Sequence, residues 1–107
     1  MRFDKLTTKF QQAISDAQSI ALGADNTAIE PQHLLMALLD QDDGGTASLL
    51  ARAGVQLNQL KTGLGAAIAN LPKSSDAGGE IAISRDLNNL LNVTDKLSQK
   101  RGDAYIA

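Results

Sequence analysis

The chain has 107 residues, of which 43% are hydrophobic and 21% charged, and its formal net charge at pH 7 is −2. This length and composition predict one globular domain. The small negative charge supplies no field that would attract nucleic acid or anionic lipid, and no run of about 18 apolar residues could span a membrane. Cysteine is absent, which excludes disulfides and thiolate chemistry. We therefore expect a cytoplasmic domain that binds neither nucleic acid nor membranes.

The first predicted element is an amphipathic helix over residues 4–22. We expect Asp4 to cap its start and Gly23 to end it in a left-handed conformation. Its core-facing residues recur at helical spacing, and they are Leu6, Phe10, Ala13, Ile14, Ala17, Ile20 and Ala21.

Two shorter helices are predicted next. Pro31 suits the first position of a helix over residues 31–40, because that position needs no N–H donor. Thr46 is expected to cap a two-turn helix that Gly54 ends, with Val55 and Leu57 in the core beyond it. The apolar stripe of the helix over 31–40 consists of Leu34, Leu35, Leu38 and Leu39.

Two further helices complete the pattern and make the predicted fold all-α. In the helix over residues 58–71, Gly63 and Gly65 each cost about 1 kcal/mol relative to Ala. Residues 72–80 are rich in Pro, Ser, Asp and Gly and predict an exposed connection. Ser84 is then expected to cap a helix that Gly102 ends. The inward positions are Leu60, Leu64, Ile68 and Leu71 in the former helix and Leu87, Leu90, Leu91, Thr94 and Leu97 in the latter.

The chain also aligns weakly with itself, at an offset that places Phe10 opposite Leu87 and Ile14 opposite Leu91. This predicts repeat one over 1–71, a linker over 72–83 and a partial repeat two over 84–107. We expect the chain to be truncated in the second repeat, because it stops before the counterpart of the helix over 31–40. Facing helix pairs would leave an apolar groove at their seam, which suits an extended or unfolded chain.

No catalytic, cofactor or metal residues are predicted. His33 is the only imidazole, and helical spacing supplies no further ligands beside Glu30, so a structural or surface histidine is favoured. Residues 40–45 imitate the start of a calcium loop, but Ala51 stands where a bidentate Glu is required. Residues 63–68 imitate a dinucleotide fingerprint without the preceding strand. The sequence therefore indicates a binding module and not an enzyme.

A specific likeness is carried by three separated segments, which are residues 1–11 (MRFDKLTTKFQ), 29–39 (IEPQHLLMALL) and 95–103 (DKLSQKRGD). Together they resemble the amino-terminal (Clp N) domain of the ClpB disaggregases, in the AAA+ Clp chaperone family, and the likeness covers essentially the whole chain. The resemblance implies an all-α domain of two four-helix repeats, the second incomplete here.

The resemblance also implies a function. A domain of this family engages unfolded or aggregated polypeptide and passes it to the AAA+ motor, while ATP, magnesium, the homohexamer and cooperation with the DnaK chaperone system belong to other parts of the parent protein. Its substrate-handling residues correspond to Thr7 and Asp103 as polar contacts and to Val93 and Leu97 as an apolar patch. We add Leu90 and Leu91 to this patch, although helical phase favours their burial.

Two alternatives stay open. The same fold could dock a folded adaptor, as in ClpA- and ClpC-type unfoldases. A helical nucleic-acid binder would instead use Lys96, Lys100 and Arg101, and its binding would depend steeply on salt.

Overall fold

In a computed structural model, the protein is described over residues 7–41, 45–73 and 81–101, with side chains through residue 97 in the last segment. This part of the chain contains five helices and no β-strand, which confirms the predicted all-α class. The division into two repeats stays a prediction. The helices are α1 (Thr8–Gly23), α2 (Pro31–Asp40), α3 (Gly45–Arg52), α4 (Leu57–Ala69) and α5 (Arg85–Arg101).

Both ends of α1 differ from the prediction. Its cap is Thr7, whose Oγ1 accepts a hydrogen bond from the Phe10 N–H at 3.2 Å, so the helix begins later than a cap at Asp4 requires. Asp4 itself lies outside the described residues. At the other end Gly23 is still helical, and the left-handed residue is Asp25, with φ 58°. Asp tolerates this conformation because its short polar side chain can hydrogen-bond locally.

The second helix has the predicted bounds. Pro31 occupies its first turn, and the Glu30 N–H that precedes the helix donates to Nδ1 of His33 at 2.8 Å. Leu34 and Leu39 are buried. This helix is the centre of the fold, since it contacts α1, α3, α4 and α5.

The third helix is the least buried. It begins at Gly45, so Thr46 lies within the helix and is not its cap. None of its described residues is buried, and Val55 beyond it is 37% exposed and not in the core as predicted. Gly54 does end the helix, and its φ of 91° is one that a side chain would strain.

The fourth helix is shifted slightly from the predicted range. Leu64 and Ile68 are buried, as its periodicity predicts. Gly63 and Gly65 lie in its interior, and a Cβ atom at either position would meet no heavy atom within 4 Å beyond its own helical backbone and chain neighbours. Neither glycine is therefore required by packing.

The core lies between α1, α2 and α5. Alanines on α1 and α2 pack there with larger apolar side chains from all three helices. Its buried members are Phe10, Ala13, Ala17, Ala21, Ile29, Leu34, Ala37, Leu87 and Leu91.

The loop over residues 24–30 holds the connection between α4 and α5 at both ends. Asn26 forms an isolated antiparallel bridge with Lys73, and Ile29 forms a parallel bridge with Ile83. The Ser84 N–H donates to the Ile29 carbonyl at 2.9 Å. The start of α5 is thus fixed by a loop far from it in sequence.

Candidate functional site

An exposed apolar stripe runs along α5. Leu90, Val93 and Leu97 are 47%, 54% and 55% exposed, respectively. Their spacing of three and four residues places them in one row on the helix surface. We call these three residues the α5 stripe. Contiguous exposed apolar surface of this kind marks interaction sites more often than isolated exposed leucines do.

The other side of α5 anchors the helix. Leu87 and Leu91 are 0% and 2% exposed, and the Leu87 N–H donates to Oγ of Ser84 at 3.0 Å, which confirms Ser84 as the cap. At about 100° per residue, this buried pair lies roughly a third of a turn from the centre of the α5 stripe. Periodicity predicted that Leu90 and Leu97 face inward, and this is wrong because both are about half exposed. Leu91 is buried in the core.

The described charged side chains of α5 carry both signs. Among the side chains that the structure describes on this helix, Arg85 and Lys96 are cationic, and Asp86 and Asp95 are anionic. Asp86 lies in the first turn, where the helix dipole favours a carboxylate. Within this described part of the helix the signs balance, so apolar contact is the main feature that the α5 stripe offers a partner.

Thr7 lies at a separate groove. The groove has a volume of about 780 Å³ and an apolar floor that includes Phe10, Leu38 and Leu49. Its described lining contains Thr7 but no residue of α5, so the structure does not bring Thr7 and the α5 stripe into one pocket. The fourth predicted contact, Asp103, lies outside the described residues.

His33 is a structural residue, as predicted. It is 0% exposed, and its Nε2 lies 2.8 Å from Oδ1 of Asn26. Burial lowers the pKa of His33 from its ordinary value, and the carboxylate of Glu30 raises it in partial opposition. A neutral ring fits the geometry, because Nδ1 must be unprotonated to accept from the Glu30 N–H.

Acidic residues do not assemble into a metal site within the described ranges, where no group of three or more His, Cys, Asp or Glu side chains is arranged for one. Of the segment that imitates a calcium loop, Asp40 pairs with Nζ of Lys61 at 3.3 Å. Asp42 and Asp43 lie outside the described residues. Residues 63–68, which imitate a dinucleotide fingerprint, lie inside α4.

No helix in the portion of the chain that the structure describes has the length and apolar character needed to cross a membrane.

Two residues were not singled out by sequence reasoning. Leu49 on α3 is 67% exposed, and nothing in its local spacing distinguishes it from a core leucine. Asn26 is 1% exposed, and its partnership with the only histidine follows from a loop conformation. The position of Asn26 shortly before the helix that contains the only histidine is the signal that could have suggested this pair.

A comparison with known families decides the classification. Residues 5–107 match the family described as the Clp repeat (R) N-terminal domain. The chain belongs to this family. The Clp N fold that the resemblance implied is thereby confirmed.

Similar curated proteins are ClpB chaperones. This Clp N domain is 50% identical over 107 residues to the chaperone protein ClpB of Vibrio cholerae, covering 100% of the chain and 12% of that protein. It is 49% identical over 107 residues to the chaperone protein ClpB of Pseudomonas putida, again with 100% and 12% coverage. The chain thus spans a small fraction of the length of these relatives.

A solved structure shares the fold at lower identity. The Hsp104 N-terminal domain from Candida albicans superposes with a TM-score of 0.84 at 21% identity, over 96% of this chain and 67% of that one. At that identity the likeness concerns the helical architecture alone.

Proposed function

We propose that this Clp N domain captures exposed apolar segments of unfolded or aggregated polypeptide on the α5 stripe. The observation that carries the proposal is the row formed by Leu90, Val93 and Leu97, each about half exposed, on a helix whose other side is anchored in the core. A helix that presents apolar side chains in a row can contact apolar segments of many different sequences.

The expected affinity is low. Covering the exposed half of a Leu or Val side chain contributes on the order of 1 kcal/mol. Three such side chains contribute roughly 3 kcal/mol, which the loss of translational and rotational freedom on association offsets in large part. Weak capture of this kind is suited to handing a polypeptide on to another site.

Polar contacts complete the proposed surface. Thr7 and Asp103 are its polar residues by family resemblance. The Oγ1 of Thr7 already accepts the capping bond from Phe10, and accepting that bond leaves its hydroxyl hydrogen to be donated. Leu91 is left out because it is buried.

The role of the whole protein follows from its relatives. We propose that the domain belongs to an ATP-dependent disaggregase of the cytoplasm, whose AAA+ modules form a homohexamer, bind ATP with magnesium and cooperate with the DnaK chaperone system. The support is 50% identity to a ClpB chaperone of which the chain covers 12%. Within that assembly, this domain would bind polypeptide and pass it to the motor without hydrolysing ATP.

A pair of substitutions to Asp tests the proposal. Leu97→Asp places a carboxylate in the α5 stripe, and Val55→Asp places one at an exposed apolar side chain between α3 and α4, outside both the α5 stripe and the lining of the groove beside Thr7. Fluorescence anisotropy of labelled, unfolded casein measures binding, and circular dichroism verifies helix content. We expect Leu97→Asp to weaken binding by about tenfold or more, corresponding to at least about 1.4 kcal/mol, and Val55→Asp to leave it unchanged.

Equal binding by wild type and Leu97→Asp, with helix content intact, would contradict the proposal. An adaptor-docking domain would give a different result. It would retain one folded partner at a fixed stoichiometry, and excess unfolded casein would not displace that partner.

A further inference from the structure

A hydrogen-bond chain centred on two buried side chains runs from the start of α2 to the connection that follows α4. The Glu30 N–H donates to Nδ1 of His33, Nε2 of the same ring lies 2.8 Å from Oδ1 of Asn26, and Nδ2 of Asn26 donates to the Pro72 carbonyl at 3.3 Å. We call these four residues the clasp. His33 and Asn26 are 0% and 1% exposed, so water does not replace these partners.

The clasp requires one protonation state. Because a backbone N–H can only donate, Nδ1 of His33 must be an acceptor, and the ring proton must lie on Nε2, where it is donated to Asn26 Oδ1. That bond in turn fixes the amide of Asn26 so that its Nδ2 faces Pro72. A proton added at Nδ1 would oppose two N–H donors across 2.8 Å.

The clasp also stabilises the start of α5. It holds the loop over 24–30, and that loop binds the far end of the connection, where the Ile29 N–H donates to the Ala82 carbonyl at 3.0 Å and the Ser84 N–H donates to the Ile29 carbonyl at 2.9 Å. Ser84 caps α5. One buried ring thus supports both ends of the connection.

From this geometry we infer that the clasp is an acid-sensitive latch, in which protonation of His33 releases the connection after α4 and the start of α5 from the loop over 24–30. The inference concerns the internal coupling of the fold and does not depend on the proposed polypeptide binding.

The charged surroundings of the ring favour such a response. Glu30 is the charged group that acts on His33, and it raises the pKa of the ring less than burial lowers it. Among the other charged side chains that the structure describes, three are partly exposed, and these are Asp16 on α1, Lys61 on α4 and Asp95 on α5. The rest are exposed, and they are Lys9, Asp25, Asp40, Arg52, Lys73, Arg85, Asp86 and Lys96. No buried carboxylate in the described residues is therefore available to stabilise an imidazolium.

The sign of the pH dependence follows. The folded-state pKa of His33 lies below its ordinary value of about 6.5. Between those two values the unfolded chain binds the proton and the folded chain does not, so the free energy of unfolding falls as the pH drops below about 6.5. Above that value both states are neutral and His33 contributes no pH dependence.

The test combines two NMR measurements on the chain. Since His33 is the only histidine, its ring ¹⁵N signals need no assignment among several histidines. Their chemical shifts show which ring nitrogen carries the proton and at which pH the ring titrates. Amide hydrogen exchange, corrected for its intrinsic pH dependence, is then compared at about pH 7.5 and about pH 5.5, on either side of the ordinary histidine value. The reporting amides are those of Ile29, Glu30 and Ser84, and those of Ala17 and Leu91 report the core.

We expect the proton on Nε2 at neutral pH, a titration midpoint below about 6.5, and loss of protection at Ile29, Glu30 and Ser84 of up to about tenfold per pH unit. The core amides should lose no more protection than the fall in the global free energy of unfolding requires, and they should stay better protected than the reporting amides at both pH values. His33→Gln, which keeps one donor and one acceptor without titrating, should remove the pH response.

Three results would overturn the inference. They are a ring proton on Nδ1 at neutral pH, a midpoint at or above the ordinary histidine value, and reporting amides that are as well protected as the core amides at about pH 5.5. All three are measured on the wild-type chain, so the test holds even if His33→Gln does not fold.

Discussion

At the scale of single residues, Thr7 has a structural task besides its proposed contact with polypeptide. Its Oγ1 caps α1 by accepting from the Phe10 N–H. Removing an N-terminal cap of this kind costs about 1 kcal/mol of stability. We predict that Thr7→Ala lowers the free energy of unfolding by about that amount in urea denaturation, and that Thr7→Ser restores it.

The neighbouring Thr8 provides the control. It is an exposed residue in the first turn of α1, so Thr8→Ala should change the unfolding free energy by no more than about 0.5 kcal/mol. A Thr7→Ala variant as stable as wild type would show that the cap is dispensable. Any loss of polypeptide binding in that variant could then be assigned to contact and not to unfolding.

Two leucines on α5 separate the buried side from the exposed one. Leu87 is 0% exposed and Leu90 is 47% exposed. Leu87→Ala leaves a cavity and should destabilise the fold by about 2–5 kcal/mol. Leu90→Ala should cost less than about 1 kcal/mol, because it removes contacts that are only partly made. Thermal unfolding measures the stability of the two variants. A similar loss of stability in both would contradict the assigned burial.

Sequence reasoning had uneven success at this scale. It correctly predicted Pro31 at the start of α2, Ser84 as the cap of α5 and a structural His33, because each depends on local chemistry. It was wrong about Asp4 and Gly23, because several capping residues stand within a few positions of each true helix end. The capping propensities of such residues differ little, so tertiary contacts decide which of them caps the helix.

At the scale of elements, α5 shows why burial is harder to predict than helix formation. Its apolar residues are Leu87, Leu90, Leu91, Val93 and Leu97, and at about 100° per residue they span about 160° of the helix circumference. The period predicts a helix whichever side faces inward. Only packing against α2 selects the side of Leu87 and Leu91, and that information is absent from local spacing.

The fourth helix offers a test of intrinsic propensity. Gly65 lies in its interior with open space around its Cβ position. Gly65→Ala should therefore stabilise the domain by up to about 1 kcal/mol. The matched control is Gly54→Ala, at a φ of 91°, which should destabilise because alanine is strained there. Chemical denaturation measures both changes, and stabilisation at Gly54 or loss of stability at Gly65 would contradict the helix assignment.

At the scale of the whole molecule, periodicity predicted the five helices but not how their connections meet. The bridges from Asn26 to Lys73 and from Ile29 to Ile83 join residues far apart in sequence. No residue pattern marks either pairing. The groove beside Thr7 has the same origin, since it forms where the start of α1, the end of α2 and the length of α3 converge.

Because Asn26 and Ile29 hold the two ends of the connection on one short loop, the spacing of those ends does not depend on how many residues run between them. Doubling the length of chain between the anchors would cost only about 0.6 kcal/mol of closure entropy. A reporter sequence inserted between Lys73 and Ile81 should therefore cost little stability while both anchors are kept.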